Sequence, residues 1–301
     1  MVYELAQKDE RVLFIGSDLS PGVLDDFKKN IPERFFMEGI TEQHIIGMAA
    51  GLAFDGFIPY VNTIATFLTR RCFEQIAVDL CLHDLPVRLI GNGGGLVYAP
   101  LGPTHQAIED IGILRTLPNM TIVAPCDAEE MKRLMDASLD WPHPLYIRLA
   151  KGGDSIVSKP ELGFKIGKGI HLKEGDDVLF VTTGITTQRA LTAVESLAED
   201  KINCGVFHMH TIKPFDHLGL MKVSKPVKLV VTIEEHVLNG GLGSAVLEAF
   251  SDHGIIKKVV RLGIPDVFAK KYGSQDIIMA GFGLDPGNIV KTVKNCLTKK
   301  R

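Results

Sequence analysis

No CxxC pair occurs in this 301-residue sequence, and its five cysteines (Cys72, Cys81, Cys126, Cys204 and Cys296) are odd in number and widely spaced. That pattern excludes a disulfide framework or a zinc module and leaves five reduced, structural thiols. No apolar run approaches the roughly 20 residues of a membrane span, so no membrane association is expected. Positive charge is not in excess: the formal net charge is -3, which argues against nucleic-acid binding by bulk charge. The opening MVYELAQKDERVLFIG lacks a basic stretch followed by an apolar one, so no signal peptide is expected and the cytoplasm is the expected compartment. Neither GxGxxG nor GxxxxGK[ST] is present, and there is no internal repeat or low-complexity tract. The histidines stand singly except His208 and His210, which read as alternate residues of a strand, so no metal site made by this chain alone is expected.

What is present is a chain with 46% hydrophobic and 23% charged residues, enough to bury the cores of two domains. Short apolar runs at 11–16, 58–64, 86–91, 121–125 and 144–150 read as buried strands. Helical patterns separate them at Thr41–Phe54, Thr69–Cys81, His105–Leu114 and Ala128–Leu139. Residues 150–177 are rich in Gly, Lys, Asp and Ser and read as a linker running into a first strand or hairpin of a second unit. Strands then return at 177–184, 202–209, 227–235 and 256–263, with helices at Thr187–Leu197, Gly240–Phe250 and Pro286–Leu297. Strands apolar throughout, alternating with helices, predict parallel sheets covered on both faces. The expected fold is α/β: two doubly wound parallel-sheet domains in series, over 1–158 and 159–301.

Several residues stand out. Glu42 opens the segment EQHIIGMAAGLAF, which is apolar and rich in Gly and Ala. It reads either as a first-turn carboxylate that favours the helix dipole or as a functional group at the start of a helix buried against another subunit. Phe67 and Arg70 lie at helix-start spacing, Phe67 as core or as a stacking platform. The loop IGNGGGLVYAPLGPTHQ follows a strand end, where ligands bind in parallel sheets, and its three glycines permit close approach. His105 lies at its end. Arg148 ends the last strand of the first domain, as an ion-pair partner or an anion holder. In the second domain, EEHVLNGGLGSAV offers a helix N-terminus for an anion, or a tight turn, with His236 beside it.

In order and spacing, ITEQHIIGMAAGLA, TFLTRRCFEQI, GPTHQAIEDIGILRTLPNMTIVAPCDAEE, PLYIRLAKG, HTIKPFD and IEEHVLNGGLGSAV resemble the C-terminal half of transketolases. The resemblance covers essentially the whole chain and is greatest to split-gene transketolases, whose halves are separate chains. Deoxyxylulose-phosphate synthases are similar but less so. This resemblance implies a pyrimidine-binding domain followed by a transketolase C-terminal domain, and thiamine diphosphate as cofactor. It implies that Glu42 hydrogen-bonds N1′ of the aminopyrimidine and so favours the imino tautomer that deprotonates the thiazolium. By the same resemblance Phe67 stacks on the pyrimidine, Arg70 stands beside it in the cofactor site, His105 reaches the substrate, and Arg148 holds the anionic end of a sugar phosphate. The GDG…Asn pattern that holds Mg²⁺ and the diphosphate in such enzymes is missing. The resemblance therefore implies a partner chain carrying that pattern and Mg²⁺, inactivity alone, and an assembly of two chains of each kind.

There are departures. Leu101 stands where transketolases usually carry Asp, Gly93 where many have a His, and Gly94 where the synthases have an Arg. A phosphate-contacting serine of many transketolases falls near Gly22. Lost hydrogen-bonding groups shift substrate preference, so a deoxy sugar or another anionic terminus enters the substrate set. Two alternatives stay open: the β subunit of a 2-oxo-acid dehydrogenase E1 component, which shares the architecture, and a non-catalytic regulatory subunit.

Overall fold

In a computed structural model that describes residues 1–17 and 22–298, the strands form two sheets. In chain order they are β1 Val12–Gly16, β2 Phe35–Met37, β3 Ile58–Ile64, β4 Arg88–Asn92, β5 Thr121–Val123, β6 Leu145–Arg148, β7 Ile170–Lys173, β8 Val178–Thr182, β9 Cys204–His208, β10 Thr211–Lys213, β11 Leu229–Val237 and β12 Lys258–Ile264. The first sheet has the order β10-β5-β6-β4-β3-β1-β2 and the second β12-β11-β8-β9-β7. All pairings are parallel except those of the edge strands β10 and β7. Both sheets are doubly wound, as the alternating pattern predicts. The strands β1, β8 and β9 are buried at every residue, which is why they carry no polar alternation.

The polarity of winding reverses between β1 and β3 in the first sheet and between β8 and β11 in the second. The carboxyl ends of these strands bracket the natural ligand crevices. β10 is unexpected. It comes from the second half of the chain yet pairs antiparallel with β5, Thr211 opposite Val123, so one strand crosses between the two units. Three residues, TIK, are too few to show a period of two in sequence.

Two helical expectations change. Residues 67–81 are helical, but with wide turns at Phe67–Arg71 and Ile76–Cys81 around a short α-turn Phe73–Gln75. The helix expected from His105 begins at Asp110. Residues before it are held elsewhere: Gly95 N–H donates to Ala107 O at 2.9 Å and Ala107 N–H donates to Gly95 O at 3.0 Å, so this stretch pairs with the glycine turn instead of coiling.

The five cysteines are unpaired, and four are buried. Burial pushes the thiols of Cys72, Cys81 and Cys204 up to about 12, so they are inert at neutral pH. The linker is anchored to the first domain by Asp127. That carboxylate caps the Ala128–Leu139 helix through Glu130 N–H at 2.9 Å and accepts from the N–H groups of Val157 and Ser158 at 2.8 and 2.7 Å.

Arg88, on β4, is fully buried and closes the other end of that helix. Its guanidinium donates to the carbonyls of Ser138 at 2.8 Å, Trp141 at 2.5 Å and His143 at 3.1 Å. These carbonyls have no partner within the helix, and a cation suits a helix C-terminus. Arg88→Met therefore takes this partner from the half-buried Trp141 and His143 carbonyls and leaves Ser138 O with only its backbone donor. It is expected to cost about 3 kcal/mol or more, read as a lower denaturation midpoint in urea at unchanged slope.

Candidate functional site

Glu42 opens the Glu42–Phe54 helix and is only 3% exposed. Thr41 occupies the N-cap position, but its hydroxyl donates to Glu38 O at 2.8 Å and does not cap the helix. The Glu42 carboxylate accepts instead from Arg71 Nη1 at 2.6 Å through Oε2, and among the described residues Oε1 has no hydrogen-bond partner. The wide turn at Phe67–Arg71 sets Arg71 over Phe67, its guanidinium carbon 4.5 Å from the ring centroid. His105 meets the same ring edge-on, centroids 5.2 Å apart at 64°. Glu42, Phe67 and His105, distant in sequence, thus form one continuous cluster joined through Arg71.

Arg70 points elsewhere. It pairs with Glu109 and donates to Gln106 O at 2.9 Å, bracing the stretch that carries His105. The neighbour of Glu42 and Phe67 is Arg71, which the spacing argument missed because it assumed the rise and turn of an ordinary helix. Buried polar atoms without hydrogen-bond partners lie on the residues that flank this cluster: Thr66 Oγ1 before Phe67, both amide atoms of Gln106 after His105, and Oε2 of Glu109, the partner of Arg70. Such a concentration is expected where something outside the chain completes the hydrogen bonding.

The Gly-rich loop is shaped by contacts within the protein. Gly93 has φ +73°, and a Cβ there would lie 2.1 Å from the Tyr98 ring. A Cβ on Gly94 would lie 2.5 Å from Arg148 Cγ. The glycines therefore admit this chain's own side chains, and neither position has room for a larger residue in this loop shape. Leu101 is 54% exposed on a short 3₁₀ turn, Ala99–Leu101. Gly22 is described, with φ +82°, while 18–21 beside it lie outside the described residues.

Arg148 does not present its fork to the cluster. It is buried, with Nε donating to Asp110 Oδ2 at 2.7 Å and Nη2 donating to the carbonyls of Ala107 and Glu235 at 3.0 and 2.9 Å. Burial opposes its charge, but Asp110 and Glu235 hold the guanidinium above its ordinary value. The anion-holding role expected of Arg148 gives way to a joint between domains.

The EEHV stretch ends β11 and faces that joint. Glu234 accepts from Leu242 N–H at 2.6 Å and Gly243 N–H at 2.9 Å, so a carboxyl of the chain itself fills the helix N-terminus that an anion would take. Burial raises Glu234 to about 7 against those two hydrogen bonds. His236 is fully buried, donates from Nδ1 to Val237 O at 2.6 Å and accepts Gly112 N–H on Nε2 at 3.0 Å. Neither is available to a ligand.

Family models match both halves of the chain: "Transketolase, pyrimidine binding domain" over residues 1–153 and "Transketolase, C-terminal domain" over 167–289. The chain belongs to the transketolase family. A putative transketolase C-terminal section from Methanocaldococcus jannaschii is 36% identical over 99% of this chain and 94% of its own length. One subunit of an apulose-4-phosphate transketolase from Phocaeicola vulgatus is 35% identical over 98% of this chain and 95% of its own. A 1-deoxy-D-xylulose-5-phosphate synthase from Syntrophotalea carbinolica is 37% identical, but the chain spans only 47% of that enzyme. Among solved structures, an inactive beta4 tetramer of a split-gene transketolase superposes with a TM-score of 0.89 at 37% identity, covering 100% of this chain and 96% of the other.

Family membership implies thiamine diphosphate dependence, and the residues present fit that cofactor. Arg71 already demonstrates the required arrangement: a single flat, nitrogen-bearing group both lies over Phe67 and donates to the buried Glu42. No helix among the described residues is long and apolar enough to cross a membrane.

A second polar junction in this chain joins the domains away from Glu42. Cys126, Glu130 and His208 place their ligating atoms within 4.8 Å of one another, all buried. Hydrogen bonds account for the grouping: Glu130 Oε2 accepts from Cys126 N–H at 2.7 Å and from His208 Nε2 at 2.8 Å. Burial works against ionisation of Glu130, but His208 and His210 hold its carboxyl well below the usual range. His210, stacked on Phe164 with centroids 4.3 Å apart, is lowered by burial from 6.5 to about 3. A histidine kept neutral by the fold takes up protons on unfolding, so stability rises with pH between those two values. Unfolding free energy is thus expected to fall as pH drops from 6.5 toward about 3, and His210→Asn to flatten that slope, as read from melting curves against pH.

Proposed function

We propose that this chain is the C-terminal subunit of a two-component thiamine diphosphate-dependent transketolase, acting in the cytoplasm. It would transfer a two-carbon ketol unit between a ketose and an aldose, with phosphorylated or otherwise anionic sugars as substrates. Its pyrimidine-binding domain runs over 1–158 and its second domain over 159–301. The observation that carries this reading is the pairing of a buried carboxylate with an aromatic face, shown by the one guanidinium that engages both.

When bound, thiamine diphosphate supplies the carbon nucleophile that carries the two-carbon unit. Glu42 would hold a proton at the pyrimidine nitrogen, with the ring in the place that Arg71 takes over Phe67 in this structure, and its burial would keep water from competing for that bond. Phe67 fixes the plane of the ring. His105, which meets the Phe67 ring edge-on, would offer an imidazole to the reacting hydroxyls. Arg70 and Glu109 hold the stretch that carries His105 in place.

Mg²⁺ and the diphosphate would be held by a separate N-terminal subunit, a reading supported by the C-terminal-section and split-gene relatives, of which this chain covers 94% and 96%. Self-association is supported by the helix that Glu42 opens. Gly47 and Gly51 on it have no side-chain or backbone neighbour within 4 Å of an added Cβ, and Phe54 and Leu82 nearby are 62% and 71% exposed. An open small-residue face flanked by exposed apolar side chains is suited to burial in an assembly of two chains of each kind. Leu101 and Gly93 make the usual pentose phosphates a poor guide to the substrate. The dehydrogenase and regulatory alternatives have no comparable observation behind them.

The test is reconstitution with the GDG…Asn chain, thiamine diphosphate and Mg²⁺, assayed across xylulose 5-phosphate, deoxy and branched ketose phosphates and sulfonated analogues. Glu42→Gln is expected to lower turnover at least roughly a hundredfold while the complex still elutes intact. Near-wild-type turnover in that variant would sink the proposal.

A further inference from the structure

The second domain grips the loop that precedes His105 at two points. At the first, Glu235, 3% exposed at the end of β11, reaches across the domain boundary. Its Oε1 accepts Leu96 N–H at 2.9 Å and Gln275 Nε2–H at 2.7 Å. The fit is close: a Cβ on Gly95, which has φ +68°, would lie 2.4 Å from the Glu235 carboxyl carbon. At the second, the Tyr272 ring covers Gly102, where an added Cβ would lie 3.0 Å away. Between the two points lies the 3₁₀ turn Ala99–Leu101, and His105 N–H then donates to Gly102 O at 3.1 Å. Arg148 adds a third tie from the first domain to the Glu235 carbonyl.

We propose that Glu235 and the Tyr272–Gln275 segment are positioning residues for the substrate: through Leu96 and Gly102 they set the shape of the loop that presents Leu101 and His105. This rests on the reading of Glu42, Phe67 and His105 as the reaction centre, and it gives the second domain a task in substrate selection. The physical reason is the asymmetry of buried hydrogen bonds. A satisfied carboxylate at a loop base stabilises modestly, but removing it strands the buried Leu96 N–H, and the loop must move to wet it, while the half-buried Gln275 amide loses its partner as well. Glu235 touches neither Glu42 nor Phe67, so cofactor binding does not depend on it directly.

The variants are Glu235→Ala, Glu235→Gln and Tyr272→Ala. In the isolated chain, amide exchange at Leu96 is expected to be at least roughly tenfold faster in Glu235→Ala, with the Glu42–Phe54 helix unchanged. Glu235→Gln is expected to exchange near wild type, because a carboxamide oxygen still accepts both donors. In the reconstituted complex, KM for the sugar is expected to rise roughly ten- to hundredfold in Glu235→Ala, with thiamine diphosphate affinity within about twofold of wild type and KM largely restored in Glu235→Gln. Tyr272→Ala is expected to raise KM in the same direction. Unchanged Leu96 exchange overturns the proposal, as does faster exchange throughout the chain or faster Leu96 exchange with an unaltered KM. A wild-type complex that transfers no ketol group fails the functional reading instead, and the exchange measurement separates that outcome from failure of the grip.

Discussion

Three consecutive side chains at the carboxyl end of β11 carry three different polar loads. Glu234 turns back to the Leu242–Asp252 helix, Glu235 reaches to Leu96, and His236 takes Gly112 N–H. A strand alternates its side chains, so one stretch serves both the second domain's own helix and the first domain's loop. The backbone joins in: Val237 N–H donates to Ile108 O at 2.8 Å, and Arg148 returns a hydrogen bond to the Glu235 carbonyl. Without this meeting of a strand end with residues 94–112, the loop before His105 has no fixed floor. The two units are therefore joined by hydrogen bonds and are not neighbours on a string, and β10 crossing into the first sheet reinforces the union.

Charge inside this joint is managed by pairing. Arg148 and Asp110 are both buried, and Tyr146 donates its hydroxyl to the same Asp110 oxygen at 2.7 Å. Buried ions without such partners would cost several kcal/mol each. Around Glu42 the balance is deliberately less complete. Glu42 has one oxygen engaged, Gln106 has no partner for its amide, and the helix face beyond carries bare glycines.

Much of the fold was legible because its strands are buried on both faces and so stand out as unbroken apolar runs. The Glu42–Phe54 and Ala128–Leu139 helices could be bounded to within a residue, and the motif company of Glu42, Phe67 and His105 named the family. Less legible were features whose cause lies far away in sequence. Nothing in TIK signals that it pairs with β5. Nothing in GPTHQ signals that Ala107 binds the glycine turn and delays the helix to Asp110. The RR pair gave no sign that Arg71, not Arg70, would cover Phe67, because wide turns rotate side chains out of the ordinary register.

The sequence by itself determined the class of the fold, the order of its elements and the family, since periodicity and motif spacing are local properties carried by adjacent residues. It also marked Glu42 as unusual, a carboxylate leading an apolar helix. Only the tertiary structure decided which groups are free to act. Arg148 and Glu234 look like ligand-binding residues in the chain, yet their hydrogen bonds are taken by Asp110, Ala107, Leu242 and Gly243. Glu235, not singled out in sequence, holds the loop before His105 at Leu96. Whether a polar group is spent or available depends on partners up to 139 residues away, and folding alone brings those partners within reach.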